Sequence, residues 1–143
     1  MSQTTYESDI KTISSSEEVV FGILSDLNNL RKFQDNPQLG DKLKDIEFNT
    51  DSCNFTVEGF GKVGLQIIER EAFKSIKFES TNAPVKVNLW IQLKQVEEND
   101  TRLKLTLKAE LPTMIKMMVD KKLKEGINMV ADLLAKALST PNP

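Results

Sequence analysis

The feature that most constrains this 143-residue chain is a change of hydrophobic period to two between Lys42 and Leu111. Within this stretch, short segments alternate apolar and polar side chains, and polar turns such as Glu98-Asn99-Asp100 separate them. Such alternation is typical of strands with one buried and one solvated face, and short turns join antiparallel neighbours. The pattern therefore predicts an antiparallel meander of six strands with a single apolar face.

The chain before the meander predicts one strand and two short helices. Alternation over residues 6–12 predicts the strand, with Tyr6 on its inward face. Ser15 and Glu18 match a capping box, in which each side chain accepts a hydrogen bond from the other residue's backbone amide. Two segments of helical spacing follow, over residues 19–27 and 30–33.

A single long helix is predicted at the C-terminal end, over Pro112–Leu138, because proline suits the first helical position. At 1.5 Å per residue this helix is about 40 Å long. Gly126 interrupts it, which predicts a bend or a close approach to the sheet. We expect one α+β domain over residues 1–143, with the helix across the apolar face of the sheet and residues 139–143 frayed.

This order of elements resembles the START-like superfamily, also called SRPBCC, and so does the segment Ser16-Glu17-Glu18-Val19-Val20-Phe21-Gly22-Ile23-Leu24-Ser25-Asp26. The superfamily includes pollen-allergen-like lipid carriers and polyketide cyclases. The resemblance implies a helix-grip fold, in which a curved antiparallel sheet of about seven strands wraps the C-terminal helix around an apolar cavity. It also implies binding of lipid-like or polyketide-like molecules, with cyclisation or hydrolysis in a minority of members. It supplies no catalytic motif for this chain.

The amino-acid counts exclude several kinds of chemistry. The chain has no histidine and one cysteine, which rules out Ser-His-Asp and Cys-His mechanisms, His-ligated metals, intramolecular disulfides and CxxC motifs. We therefore predict no metal and no cofactor. A net charge of −2 argues against nucleic-acid binding. No leader sequence and no apolar run of about 20 residues are present, so we expect a cytoplasmic location and no transmembrane segment.

A cavity for a small hydrophobic or amphipathic ligand would be lined by inward strand residues and by methionines. Four of the five methionines lie on the predicted long helix, and their flexible thioethers form an adaptable apolar wall. Ordinary core packing by these methionines is the alternative. The candidate lining residues are Tyr6, Phe55, Glu69, Phe78, Leu89, Leu105, Met114, Met117 and Met118.

Catalysis is a second hypothesis, and it depends on Glu69. Strand parity with Ile67 points this carboxylate inward, where it and Tyr6 could act as general acid or base in a cyclase-like or hydrolytic enzyme. A bulge at the strand end would instead expose Glu69. Cys53 is predicted to be structural, since no histidine can activate its thiol. Gly59-Phe60-Gly61 is predicted to be a hairpin turn rather than a phosphate loop, because a strand follows it.

Two surface features suggest macromolecular partners. Lysines in the first half of the long helix, beside methionines, could contact an anionic membrane surface transiently, although solvated lysines are common on such helices. Trp90, the single tryptophan, falls on the wet face of the sheet. Neighbouring lysine stems could shield its ring, or it could anchor a homodimer through the sheet face. Use of that face as a protein-interaction module is the third hypothesis for function.

Overall fold

The computed structural model describes residues 3–35, 45–57, 61–82 and 85–139, in which an antiparallel sheet is followed by one long helix. The strands are β1 (Gln3–Glu7), β2 (Lys11–Ile13), β3 (Glu47–Phe48), β4 (Ser52–Val57), β5 (Gly61–Glu71), β6 (Ser75–Ser80), β7 (Val87–Glu97) and β8 (Asp100–Glu110). The helices are α1 (Glu17–Leu24), a 3-10 helix (Leu27–Asp35) and α2 (Thr113–Leu138).

Strand pairing confirms the predicted meander. Strands β3 to β8 pair with their sequence neighbours, all antiparallel, and β1 and β2 both pair with β8. The sheet order is therefore β1-β8-β7-β6-β5-β4-β3, with β2 beside β1 on the same edge of β8. The predicted α+β helix-grip arrangement is correct. Val57 pairs with Gly61, so β4 and β5 form a hairpin, whereas residues 58–60 of the predicted turn lie outside the described residues.

The first strand differs from its prediction because it is interrupted. At the break, the Ser8 backbone N–H donates to the Leu105 carbonyl, and the Ser8 hydroxyl accepts from the Leu105 N–H, both at 2.9 Å. A side chain thus replaces a backbone partner, and the alternation changes phase beyond it. Ile10 is 64% exposed, whereas Ile13 is fully buried.

The cap of α1 lies one residue later than the sequence indicated. Ser16 is the N-cap residue, and its hydroxyl accepts from the Val19 N–H at 3.3 Å. Ser15 does not cap the helix, because its hydroxyl donates to the Leu138 carbonyl at 2.7 Å. The predicted Ser15–Glu18 capping box is therefore wrong, since the tertiary contact with the end of α2 takes the Ser15 hydroxyl.

Helix α2 lies against the β1, β2 and β8 side of the sheet. Polar contacts tie it to the N-terminal segment along its length: Tyr6 to Asp120, Asp9 to Asn128, and Ser14 to Ser139. Its C-terminal half is the more deeply buried, and small side chains there permit close packing. The buried residues of α2 are Val119, Ile127, Ala131, Ala135 and Leu138. Pro112 precedes the helix as its N-cap residue, and residues 140–143 of the predicted tail lie outside the described ranges.

Candidate ligand-binding site

The apolar inner face of the sheet is organised in rows that cross the strands. In the central row, β-sheet register places Tyr6, Leu107, Leu89, Phe78 and Ile67 side by side on five successive strands. Three of the predicted cavity residues therefore share one row. The ends of the row are buried, but Leu89 and Leu107 at its centre are only half-buried.

On one side of the central row, the inner face is filled by ordinary core packing. Leu105, Ile91 and Ile76 are neighbours in register, and their exposed fractions are 1%, 4% and 0%. The equally buried Val20 and Leu24 of α1 belong to the same core. Leu105 was predicted to line a cavity, but its position places it in this packed part of the core.

On the other side of the central row, the described inner-face residues are a mixture of buried side chains, such as Phe48 and Ala109, and half-buried ones. One row there contains Cys53, Leu65 and Val87, all half-buried. Ser80 lies between the last two, since it pairs with Leu65 and its hydroxyl accepts from the Val87 N–H. Phe55, two residues after Cys53 on the same face of β4, is also half-buried. We call Cys53, Leu65, Val87, Leu89 and Leu107 the open inner face. Its five side chains are half-buried and pack against the fully buried core.

A polar pair lies at the β1 end of the central row. Tyr6 is 3% exposed, and its hydroxyl donates a hydrogen bond of 2.7 Å to Asp120 of α2. Lys124, one turn further along α2, forms an ion pair of 3.2 Å with the other carboxylate oxygen of Asp120. Asp120 thus joins the sheet to the N-terminal half of the helix.

The electrostatics of this pair keep the tyrosine neutral and the aspartate ionised. Burial and the Asp120 hydrogen bond raise the pKa of Tyr6 to about 12. The Tyr6 hydroxyl, with a smaller contribution from Lys124, lowers the pKa of Asp120. Because the Tyr6 proton is already donated to Asp120, this hydroxyl is not poised as a general acid or base near neutral pH.

Cys53 contributes a free thiol to the open inner face. Burial raises the pKa of its thiol to about 11, against a smaller opposing effect of the Leu65 backbone N–H. The thiol is therefore protonated near neutral pH, and it reacts slowly with electrophiles. This agrees with the structural role predicted for Cys53.

Glu69 does not face the interior, contrary to its predicted position. The register between β5 and β6 shifts between Ile67 and Glu69, which leaves Ile68 as an extra residue and pairs Glu69 with Lys77. The bulge reverses the strand parity, so Glu69 is exposed. The structure does not bring Glu69 and Tyr6 together, and the catalytic pair expected from parity is absent.

The three methionines also lie elsewhere than predicted. Met114, Met117 and Met118 are 78%, 79% and 70% exposed. Helix α2 turns a different stripe, which contains Val119, toward the core. The expectation that these methionines face the interior is therefore wrong.

A groove of about 530 Å³ lies on another part of the sheet. It is bordered by outward residues of β7 and β8, such as Lys94 and Lys104, and by the exposed Ile10. None of the predicted cavity residues lines it. Trp90 lies on the same outward parity, half-buried, with Lys77 Nζ 5.0 Å and Lys108 Nζ 5.6 Å from its ring centroid.

Sequence reasoning missed two residues that shape the site. Leu107 shares the parity of Leu105, but only the register shows that it lies opposite Leu89. Asp120 is the single acidic residue between Thr113 and Lys124, a pattern that marks it as unusual without identifying Tyr6 as its partner.

Metal-binding clusters and membrane-spanning helices are both absent from the described ranges. There, no three histidine, cysteine, aspartate or glutamate side chains are arranged to hold a metal ion. Nor does any helix in those ranges combine the length and apolarity needed to cross a bilayer.

Solved structures with a similar fold superpose on nearly the whole of this chain. No protein-family model and no curated protein matches the sequence. Norcoclaurine synthase from Thalictrum flavum, solved in complex with dopamine and hydroxybenzaldehyde, superposes with a TM-score of 0.70 at 15% identity, covering 95% of this chain and 86% of that one. The Aha1 dimer from Colwellia psychrerythraea gives 0.64 at 19%, covering 98% and 99%.

A START superfamily protein from Mycobacterium smegmatis gives a TM-score of 0.58 at 12% identity, covering 94% of this chain and 98% of that one. The START-like, helix-grip fold that the sequence resembled is thus confirmed. At these identities the likeness concerns the fold alone.

Proposed function

We propose that this protein binds or carries a small hydrophobic or amphipathic molecule, lipid-like or polyketide-like, on the open inner face. The observation that carries the proposal is the partial burial of Leu89, Leu107 and their neighbours in the middle of an otherwise core-forming surface. Apolar surface in contact with water costs about 25 cal/mol per Å². A ligand that covered these side chains would recover that free energy.

The surrounding features are compatible with such a ligand. Tyr6 and Asp120 satisfy each other, so the β1 border of the open inner face leaves no isolated buried polar group. The similar structure of norcoclaurine synthase holds two small aromatic molecules, which supports a small-molecule site in this fold. The START-like resemblance implies hydrophobic or amphipathic ligands.

The enzyme hypothesis has less support. It required Glu69 and Tyr6 to converge, but Glu69 is exposed on the far side of a bulge and Tyr6 donates to Asp120. A group that is already hydrogen-bonded to an ionised partner is a poor proton donor to a substrate. Binding without chemistry is therefore the function that the geometry favours.

The test measures uptake of a fluorescent probe by the wild type and by a variant in which a bulky side chain occupies the proposed site. Native mass spectrometry of freshly purified protein would identify a co-purified ligand, and N-phenyl-1-naphthylamine would report an accessible apolar site. Leu89→Trp fills the centre of the open inner face, so we expect it to abolish probe uptake. Ile68→Trp is the matched control, because Ile68 is 47% exposed at the β5 bulge.

Cys53 provides a second measurement that needs no substitution. A ligand on the open inner face should slow alkylation of the Cys53 thiol by iodoacetamide at mildly alkaline pH, where a small thiolate fraction exists. The proposal fails if the wild type takes up no probe. It also fails if Leu89→Trp, shown by circular dichroism to be folded, takes up probe as the wild type does.

A further inference from the structure

The most exposed large apolar side chains form one cluster on α2. We define the methionine patch as Met114, Met117 and Met118, which are 70–79% exposed. Residues three and four positions apart share one face of a helix. The other exposed large hydrophobic residues in the described ranges are only 42–64% exposed. The patch is therefore a contiguous apolar surface that the fold leaves uncovered.

Lysines border this patch. Lys121 continues the same helical face one turn after Met117 and Met118, and Lys122 and Lys124 lie on either side of it. Glu125 is the nearest acidic residue along that face, and Asp120 and Lys124 offset each other's charge in an ion pair. The whole chain carries −2, but this segment is locally positive.

The beginning of α2 favours the same sign of partner. Pro112 provides no side-chain cap, and the first turn contains no acidic residue. The free N–H groups at a helix N-terminus and the helix dipole attract anions. Thus, the exposed apolar surface, the lysines and the helix end all lie within the first half of α2.

We propose that the methionine patch docks on the surface of a lipid bilayer that contains anionic phospholipids. The helix lies along the interface, the methionines enter the boundary between headgroups and acyl chains, and the lysines contact lipid phosphates. Flexible thioethers adapt to an irregular apolar environment of this kind. The inference goes beyond ligand binding on the open inner face and does not depend on it.

A second copy of the chain is the competing occupant of the patch. A two-fold interface would place the patch against itself and would bring two sets of bordering lysines together, with one glutamate in each set. Like charges facing each other oppose association. The charge pattern therefore favours an anionic membrane.

The experiment measures binding to phosphatidylcholine vesicles with and without phosphatidylserine. We expect the full chain to co-sediment with phosphatidylserine-containing vesicles, more weakly as salt is raised, and to bind pure phosphatidylcholine poorly. Replacing the patch by Met114→Gln, Met117→Gln and Met118→Gln should lower partitioning about tenfold or more. The double change Lys121→Gln and Lys122→Gln should weaken it, whereas the control Lys86→Gln and Lys94→Gln, with the same loss of charge on the sheet, should not.

A depth probe gives an independent result. In a Trp90→Phe background, the fluorescence of Met117→Trp should shift to the blue on anionic vesicles and be quenched by brominated lipid. The control Val130→Trp places the probe on the same helix at a site that is 44% exposed. The proposal is overturned if the wild type ignores anionic vesicles, binds neutral vesicles equally or binds as well without the methionines. It is also overturned if sedimentation shows a patch-dependent dimer in place of vesicle binding.

Discussion

At the scale of single residues, Tyr6 shows how burial and one partner determine a protonation state. Its hydroxyl lies at the end of the central row and donates to Asp120 across the contact between β1 and α2. The pKa of Tyr6 is raised from 10.0 to about 12, and the pKa of Asp120 is lowered. These shifts mean that the folded state favours the neutral tyrosine and the ionised aspartate more strongly than the unfolded state does.

A pH-dependent stability difference follows for Tyr6→Phe. The raised pKa of Tyr6 contributes stability that is fully present below pH 10 and is lost as pH rises through about 12. We expect the wild type to be more stable than Tyr6→Phe at pH 7 and this difference to shrink above pH 10. Urea unfolding of both proteins at several pH values measures it. A difference that stays constant into the alkaline range would contradict the assignment.

At the scale of elements, local irregularities decide which side chains reach the inner face. The β5 bulge at Ile68 and the break between β1 and β2 each reverse strand parity, which exposes Glu69 and Ile10. Where strands stay regular, as around Phe78 and Leu89, the predicted inward positions are correct. Bulges depend on pairing with neighbouring strands, so alternation within one strand does not reveal them.

The glycine in α2 offers a prediction at this scale. A Cβ built on Gly126 would have no neighbour within 4 Å, so neither a close approach nor steric crowding requires glycine there. Gly126→Ala should raise the free energy of unfolding by about 0.5–1 kcal/mol, because alanine restricts the unfolded chain and favours helix. Ligand uptake should not change. Urea or thermal unfolding measures the gain in stability.

Gly64 in β5 is the contrasting control for that substitution. A Cβ there would overlap the Thr81 hydroxyl and lie 2.7 Å from Asn54 Oδ1. Gly64→Ala should therefore destabilise the protein. If Gly126→Ala also lowered stability, the helix would have a requirement for glycine that its surroundings do not show.

At the scale of the whole molecule, the outer face of the sheet determines whether copies associate through Trp90. Lys77 and Lys108 already lie over the indole ring, which is the local shielding anticipated as an alternative to a dimer contact. An indole covered by its own lysines presents less apolar surface to a second copy.

Substitution of Trp90 tests this shielding. We expect Trp90→Ala to lower stability by about 1 kcal/mol through lost cation–π contacts and packing. Its sedimentation should match that of the wild type. Trp90→Phe keeps an aromatic ring and should lose less stability. A wild-type dimer that Trp90→Ala dissociates would show instead that the sheet face is an interface.

The sequence alone determined the order of the elements and the inner face of the regular strands. Alternation with period two directly reflects a sheet that is buried on one side, and it assigned Phe78 and Leu105 to the buried face. The long C-terminal helix was also predicted, although Pro112 is its N-cap residue and not its first helical residue.

Only the tertiary structure decided which apolar surface of α2 is buried and where the inner face stays open. The first half of α2 carries apolar residues on several sides, so both the methionines and the stripe through Val119 were candidates for the core. Contacts with β1, β2 and β8 select Val119 and leave Met117 in solvent. Register across several strands then makes Leu89 and Leu107 neighbours. Such long-range pairings are absent from local periodicity, because they arise only when distant segments pack together.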